Sequence, residues 1–174
     1  MKSLIPLISA ILLLAALLAG CNSHKEEAQS LQPQIDSLRL LLNKAYKPGM
    51  GELMSNIQLH HSKLWFAGEN QSWQLAEYNE SLIRSAFNKI QLYHGNQPEA
   101  KAAFMIFPAM DSLSKAIAEK NKGAFERSYT LMTLTCNNCH MVTSHPFNVI
   151  TIPKTPPVTD QDFKTAMEQI ITNK

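Results

Sequence analysis

The placement of helix breakers most constrains what this chain can fold into. From Leu53 to Met141 the sequence is rich in Ala, Leu, Met, Gln, Glu and Lys, which form helices readily. Glycine and proline occur there only at Gly68, Gly95, Pro98, Pro108 and Gly123. This punctuation predicts four long segments. The first runs over Met50–Ala67 and stops at Gly68. The second runs over Ser72–Tyr93, with Ser72 as N-cap and Gly95 as stop. The third runs from Pro98 to about Lys120, and the fourth from Gly123 to Met141. Pro108 lacks an amide donor and crowds the carbonyl four residues before it, so the third segment should kink or split. Connections of a few residues force neighbours antiparallel, and the expected fold class is all-α, an antiparallel four-helix bundle. A short extra N-terminal helix should open at Pro33, with Ile35, Leu38, Leu41, Leu42 and Ala45 on one face, and break at Lys47-Pro48-Gly49. After the bundle, His145-Pro146 begins a β-branched, proline-rich stretch through Val158. It is read as an extended C-terminal strap over the bundle, with a disordered tail as the alternative. Thr159 with Asp162 resembles the start of a short terminal helix to about Ile171.

The N-terminal residues have a different character. Lys2 precedes an apolar run from Leu4 to Leu18, which closes on Ala19-Gly20-Cys21. A cation, a short apolar core and small residues describe a secretory signal peptide. The run is short for a membrane span. Leu18-Ala19-Gly20-Cys21 resembles a bacterial lipobox, and that resemblance implies cleavage before Cys21 and a lipid on its thiol. An ordinary signal peptide ending near a cysteine is the alternative. The expected organisation is a signal peptide over 1–20, a flexible tether over 21–32, the helical unit over 33–145, and the strap with its terminal helix over 146–174. The location that follows is the bacterial periplasm or cell envelope, lipid-anchored to a membrane. Loss of the signal removes Lys2 from a formal charge of +2, and a near-neutral chain argues against a nucleic-acid partner.

The last helical segment ends in Cys136-Asn137-Asn138-Cys139-His140. The pattern C-x-x-C-H is the attachment signature of a c-type haem. Two thiols on one helical turn can each add to a vinyl group of the porphyrin, and the following histidine can become the proximal iron ligand. The cysteine inventory agrees: with Cys21 assigned to lipid and Cys136 and Cys139 to a single covalent haem c, none of the three remains for a disulfide. A redox dithiol would suit a βαβ setting, and this one is helical. Zinc would need ligands beyond the nearby His140. Tyr129 and Met132 precede the motif at near-helical spacing and are candidates for the porphyrin face.

A four-helix chain with C-x-x-C-H late in its last helix resembles the cytochrome c′ family and its low-spin relatives. The resemblance covers about Met50 to Met141, including Gly68-Glu69 after the first helix and Lys122-Gly123-Ala124-Phe125 before the haem helix. It implies a haem between the first and last helices, with its distal face covered from the first, about four turns before the glycine. Counting back from Gly68 reaches Leu53 or Met54. A thioether is a soft iron ligand that raises reduction potential, which favours Met54. His61 competes, but it lies seven residues on, about 10 Å along the axis, so both cannot reach one iron. His60 and His61 can equally be core histidines. The family's arginine before the distal residue and its aromatic-basic pair after the haem histidine have no counterpart here. The functional expectation is electron transfer, with a redox protein and the membrane (through lipid on Cys21) as partners, and a homodimer left open. The alternative is a five-coordinate haem binding nitric oxide or carbon monoxide. A catalytic role would need an acid-base residue beside an open iron site, and only His60 or His61 is placed for it.

Overall fold

The computed structural model describes residues 30–42 and 46–164. The expected signal peptide, Cys21 and the tether through residue 29 lie outside the described residues, as do 165–174. Among the described residues every regular element is helical, and no helix is long and apolar enough to cross a membrane. The chain divides into two units, with the boundary between Lys47 and Pro48. In the first, residues 30–42 form helix α1, starting three residues before Pro33. Its Gln32 donates to Asp36 at 2.9 Å.

The second unit holds α2 (Met50–Glu69), α3 (Trp73–His94), α4 (Pro98–Ala103), a 3-10 turn (Phe104–Ile106), α5 (Phe107–Ala118) and α6 (Lys122–Val142). Helix α2 packs on α3, α3 on α5, α5 on α6, and α6 returns to α2. The registers run in opposite directions. His61 meets Thr133 while Trp65 meets Phe125 across α2 and α6. Across α3 and α5, Glu80 meets Ser114 while Phe87 meets Phe107. Leu64, Ile83, Ile90, Met110, Leu113 and Phe125 fill the core between them and are almost inaccessible. Arg84 pairs with Glu80 of its own helix and reaches across to Asp111 of α5, both at 3.0 Å.

The third predicted segment does split, and the break lies upstream of its proline. Pro108 sits in the first turn of α5, and the 3-10 turn begins at Phe104, whose carbonyl a continuous helix would have aimed at Pro108.

Gly68 does not end the first long helix. It lies buried inside α2, where a Cβ would overlap the Phe125 ring. The helix stops two residues later, at Asn70, and Gln71 takes φ 58°. The same ending recurs at Lys120 (φ 51°) after α5 and Ser144 (φ 64°) after α6. In each, the amide after the left-handed residue bonds back across the last turn: Ser72 to Ala67, Asn121 to Ala116 and His145 to His140. This arrangement usually carries glycine at the left-handed position. Helix starts differ too. Ser72 occupies the N-cap of α3 without a side-chain bond, whereas Asn121 caps α6 by accepting from Ala124 N at 3.0 Å.

Residues 145–164 form no helix or strand. Of the terminal helix expected from Thr159, the part over 159–164 is not helical, because Asp162 accepts from Lys164 N in a local turn instead. Its remainder lies outside the described residues. Among the described residues the segment meets the helices toward both of its ends. Near α6, Asn137 holds Ile150. At the other end of the helices, buried Phe163 packs on Phe66 with ring centroids 5.8 Å apart.

Candidate functional site

Where α2 begins and α6 ends, the helices leave a solvent-open cleft. Its volume is about 180 Å³. Met54 of α2 lines one wall, and Cys136, Cys139 and His140 of α6 line another. Antiparallel packing causes this meeting, since it sets the first turns of α2 beside the last turns of α6. The remaining walls are mostly apolar: Ile57, Phe87, Ala103, Ile106 and Ile150. Met105 and Ile106 reach the wall from the 3-10 turn that Pro108 imposes, so the break in the third segment shapes the cleft.

Both motif thiols are free. Cys139 is buried and Cys136 partly so. Crowding around the sulfur, reinforced by neighbouring Cys139, pushes the Cys136 thiol up to about 12, and burial with nearby Glu99 pushes Cys139 upward as well. A nucleophilic redox cysteine needs the opposite shift. Among the described residues no three His, Cys, Asp or Glu side chains converge as a metal-binding group.

His140 is held in a defined way. Its Nδ1 lies 2.6 Å from the carbonyl oxygen of Asn148. A carbonyl only accepts, so Nδ1 carries the proton, and in the neutral imidazole the lone pair is then on Nε2. No hydrogen bond involves Nε2 among the described residues. Metal-binding histidines commonly donate from the other ring nitrogen in this manner.

The remaining candidates separate clearly. Leu53 is in the core, 5% exposed, and is not on the cleft wall, whereas Met54 is. His61 reaches the cleft, yet both its ring nitrogens are engaged: Nε2 with Thr133 Oγ1 at 2.8 Å and Nδ1 with Tyr129 Oη at 2.9 Å. Tyr129 Oη also lies 2.8 Å from the His61 carbonyl. Burial depresses His61 to about 4, which keeps it neutral, and iron ligation would break one of these bonds. His60 turns away and pairs with Asn79 at 2.9 Å. Tyr129 and Met132 differ from expectation, because both are buried in the core and neither lines the cleft. Tyr129 packs instead against Trp65 at 4.8 Å and Phe125 at 5.8 Å. One-letter helical spacing cannot distinguish a side chain facing the cleft from one facing α2.

Asn148, Ile150, Met105 and Asn137 belong to the site without a sequence signal for them. The first two arrive on a fold-back of irregular chain, which has no periodicity to read. No family model, curated protein or solved structure matches this chain.

Proposed function

We propose that this chain is an exported, lipid-anchored monohaem c-type cytochrome that transfers electrons, built as an antiparallel four-helix bundle similar to the cytochromes c′ with a C-terminal strap. One observation carries the reading. A single cleft gathers two free thiols, one thioether and one imidazole whose Nδ1 is already committed to a backbone carbonyl. This donor set suits a c-type haem: the thiols could attach it covalently, and the imidazole nitrogen and thioether sulfur are donors that iron accepts. Apolar walls suit a porphyrin body, and the cleft opens to solvent, so a planar group held there need not be fully enclosed. The ring of contacts among α2, α3, α5 and α6 supports the bundle reading.

When bound, a haem c supplies a one-electron ferric–ferrous couple. The chain's own residues do the rest. Cys136 and Cys139 would anchor the group, and His140 would present Nε2 to it. Met54 would offer sulfur from the opposing helix, and Ile57, Phe87 and Ile106 would exclude water. His61 stays neutral and bound to Tyr129 and Thr133, so it offers no free acid-base group. Lipid on Cys21 would keep the carrier beside a membrane, where a redox protein could reach it.

Electronic spectroscopy of protein produced with haem-attachment machinery tests the reading. The expected result is a covalent, low-spin haem with a methionine-to-iron charge-transfer band, and Met54→Ala should convert it to high spin. A high-spin wild-type spectrum with immediate carbon monoxide binding would replace electron transfer by gas binding. Absence of covalent haem would remove both.

A further inference from the structure

Asn137 is one of the two variable positions inside Cys136–His140, and asparagine is a poor choice for a helix interior. Its side chain makes two bonds to a single residue of the segment beyond the helix. Nδ2 donates to the Ile150 carbonyl at 2.8 Å, and Oδ1 accepts from Ile150 N at 2.7 Å. A carboxamide carries one donor edge and one acceptor edge, so it can pair with a peptide unit as a neighbouring strand would. Asn137 and His140 stand three residues apart and share a face of α6. Asn148 stands two residues before Ile150. Pinning Ile150 to Asn137 therefore sets the Asn148 carbonyl against His140 Nδ1, where it lies at 2.6 Å. Two backbone bonds close the intervening turn, His145 N to the His140 carbonyl at 2.7 Å and Asn148 N to the His145 carbonyl at 3.0 Å, but residues 144–149 are exposed, so the clamp on Ile150 supplies the anchor on the far side of Asn148.

We infer that Asn137 is a positioning residue for His140: its clamp on Ile150 holds the Asn148 carbonyl on Nδ1, which fixes the imidazole's tautomer and plane and tunes the group that Nε2 binds. The tuning rests on the haem reading above, whereas the positioning does not. A hydrogen bond accepted from Nδ1–H raises the basicity of the ligating imidazole. More basic ligation favours the more positive iron state, so the clamp lowers the reduction potential.

The test uses the full chain as purified, with Asn137→Ala, Asn137→Asp and Ile150→Pro. Nitrogen-15 spectra follow solvent exchange of two protons, His140 Nδ1–H and the Ile150 amide. Both should exchange slowly in the wild type. In Asn137→Ala the two protons should exchange about tenfold faster or more, the scale of one lost hydrogen bond. Asn137→Asp still accepts from Ile150 N and should keep that amide slow. Ile150→Pro alters only the irregular segment, so it tests the clamp without disturbing α6, and it should expose Nδ1–H equally. In haem-loaded protein the midpoint potential should rise in Asn137→Ala and Ile150→Pro. Unchanged Nδ1–H exchange in both variants would overturn the positioning role, whatever the spectrum shows. Faster exchange in a chain that carries no haem after production with haem-attachment machinery would uphold the positioning and remove the cytochrome reading.

Discussion

The two ends of the α2–α6 interface are built from the same pair of helices and to opposite purposes. At one end, Trp65 stacks on Phe125 and Trp73 meets the same ring edge-on, each at 6.2 Å. Gly68 lets that ring approach the backbone of α2. At the other end the same helices part around a cleft, with a half-buried methionine and two free thiols on its walls. The His61–Tyr129–Thr133 network divides them. The difference teaches where stability and chemistry reside. Close packing at the aromatic end lets the cleft end stay open and hold groups that contribute little to folding.

The largest effect should come from breaking the aromatic end. Phe125→Ala removes a fully buried ring shared by two tryptophans, and should cost about 3–5 kcal/mol by denaturant unfolding. A cost near 1 kcal/mol would mean that end is not the anchor. Next comes the dividing network. His61 has an ordinary value of 6.5 and a folded value of about 4, so the unfolded chain binds more protons between them. Stability is therefore full above 6.5 and falls as pH drops through 4, by up to roughly 3 kcal/mol. Unfolding curves across that window should flatten in His61→Gln; an equally steep loss there would assign acid sensitivity to other groups.

A paired substitution sharpens the contrast directly. Met132 is 1% exposed, and its replacement by alanine should cost about 2–5 kcal/mol. Met54→Ala, at the cleft, should cost about 1 kcal/mol or less in the haem-free chain, because its side chain already borders empty space. Equal costs would erase the distinction between the packed core and the cleft. The smallest effect lies outside both. Lys120→Gly relieves a left-handed lysine after α5 and should raise stability by about 1 kcal/mol, read as a rise in the denaturation midpoint.

The helical content was legible because helix formers and breakers act within a few residues of one another. Met50 begins α2 as the pattern predicts, and the third segment breaks as Pro108 requires. Helix ends were less legible. Gly68 reads as a stop and serves instead as a contact surface for Phe125, while Gln71, Lys120 and Ser144 take the turns that glycine usually signals. Those endings are held by bonds from the following residue, so composition does not mark them. In the cleft, Cys136, Cys139 and His140 announce themselves by spacing, whereas the count back from Gly68 that the resemblance implies left Leu53 and Met54 open, and of these Met54 lines the cleft. Tyr129 and Met132 share that spacing and still face inward, because orientation about a helix axis is set by what packs beside it.

Local chemistry written along the chain thus determined the helices, the split at Pro108, and the grouping of two thiols and an imidazole on one turn. Only the tertiary structure decided that the segment after α6 would fold back so that Asn137 grips Ile150 and Asn148 meets His140. It also decided that His61 would have both nitrogens engaged in the core. The first set depends on neighbours within a turn or two. The second depends on segments between eight and seventy-two residues apart, whose meeting is fixed by packing rather than by any local preference.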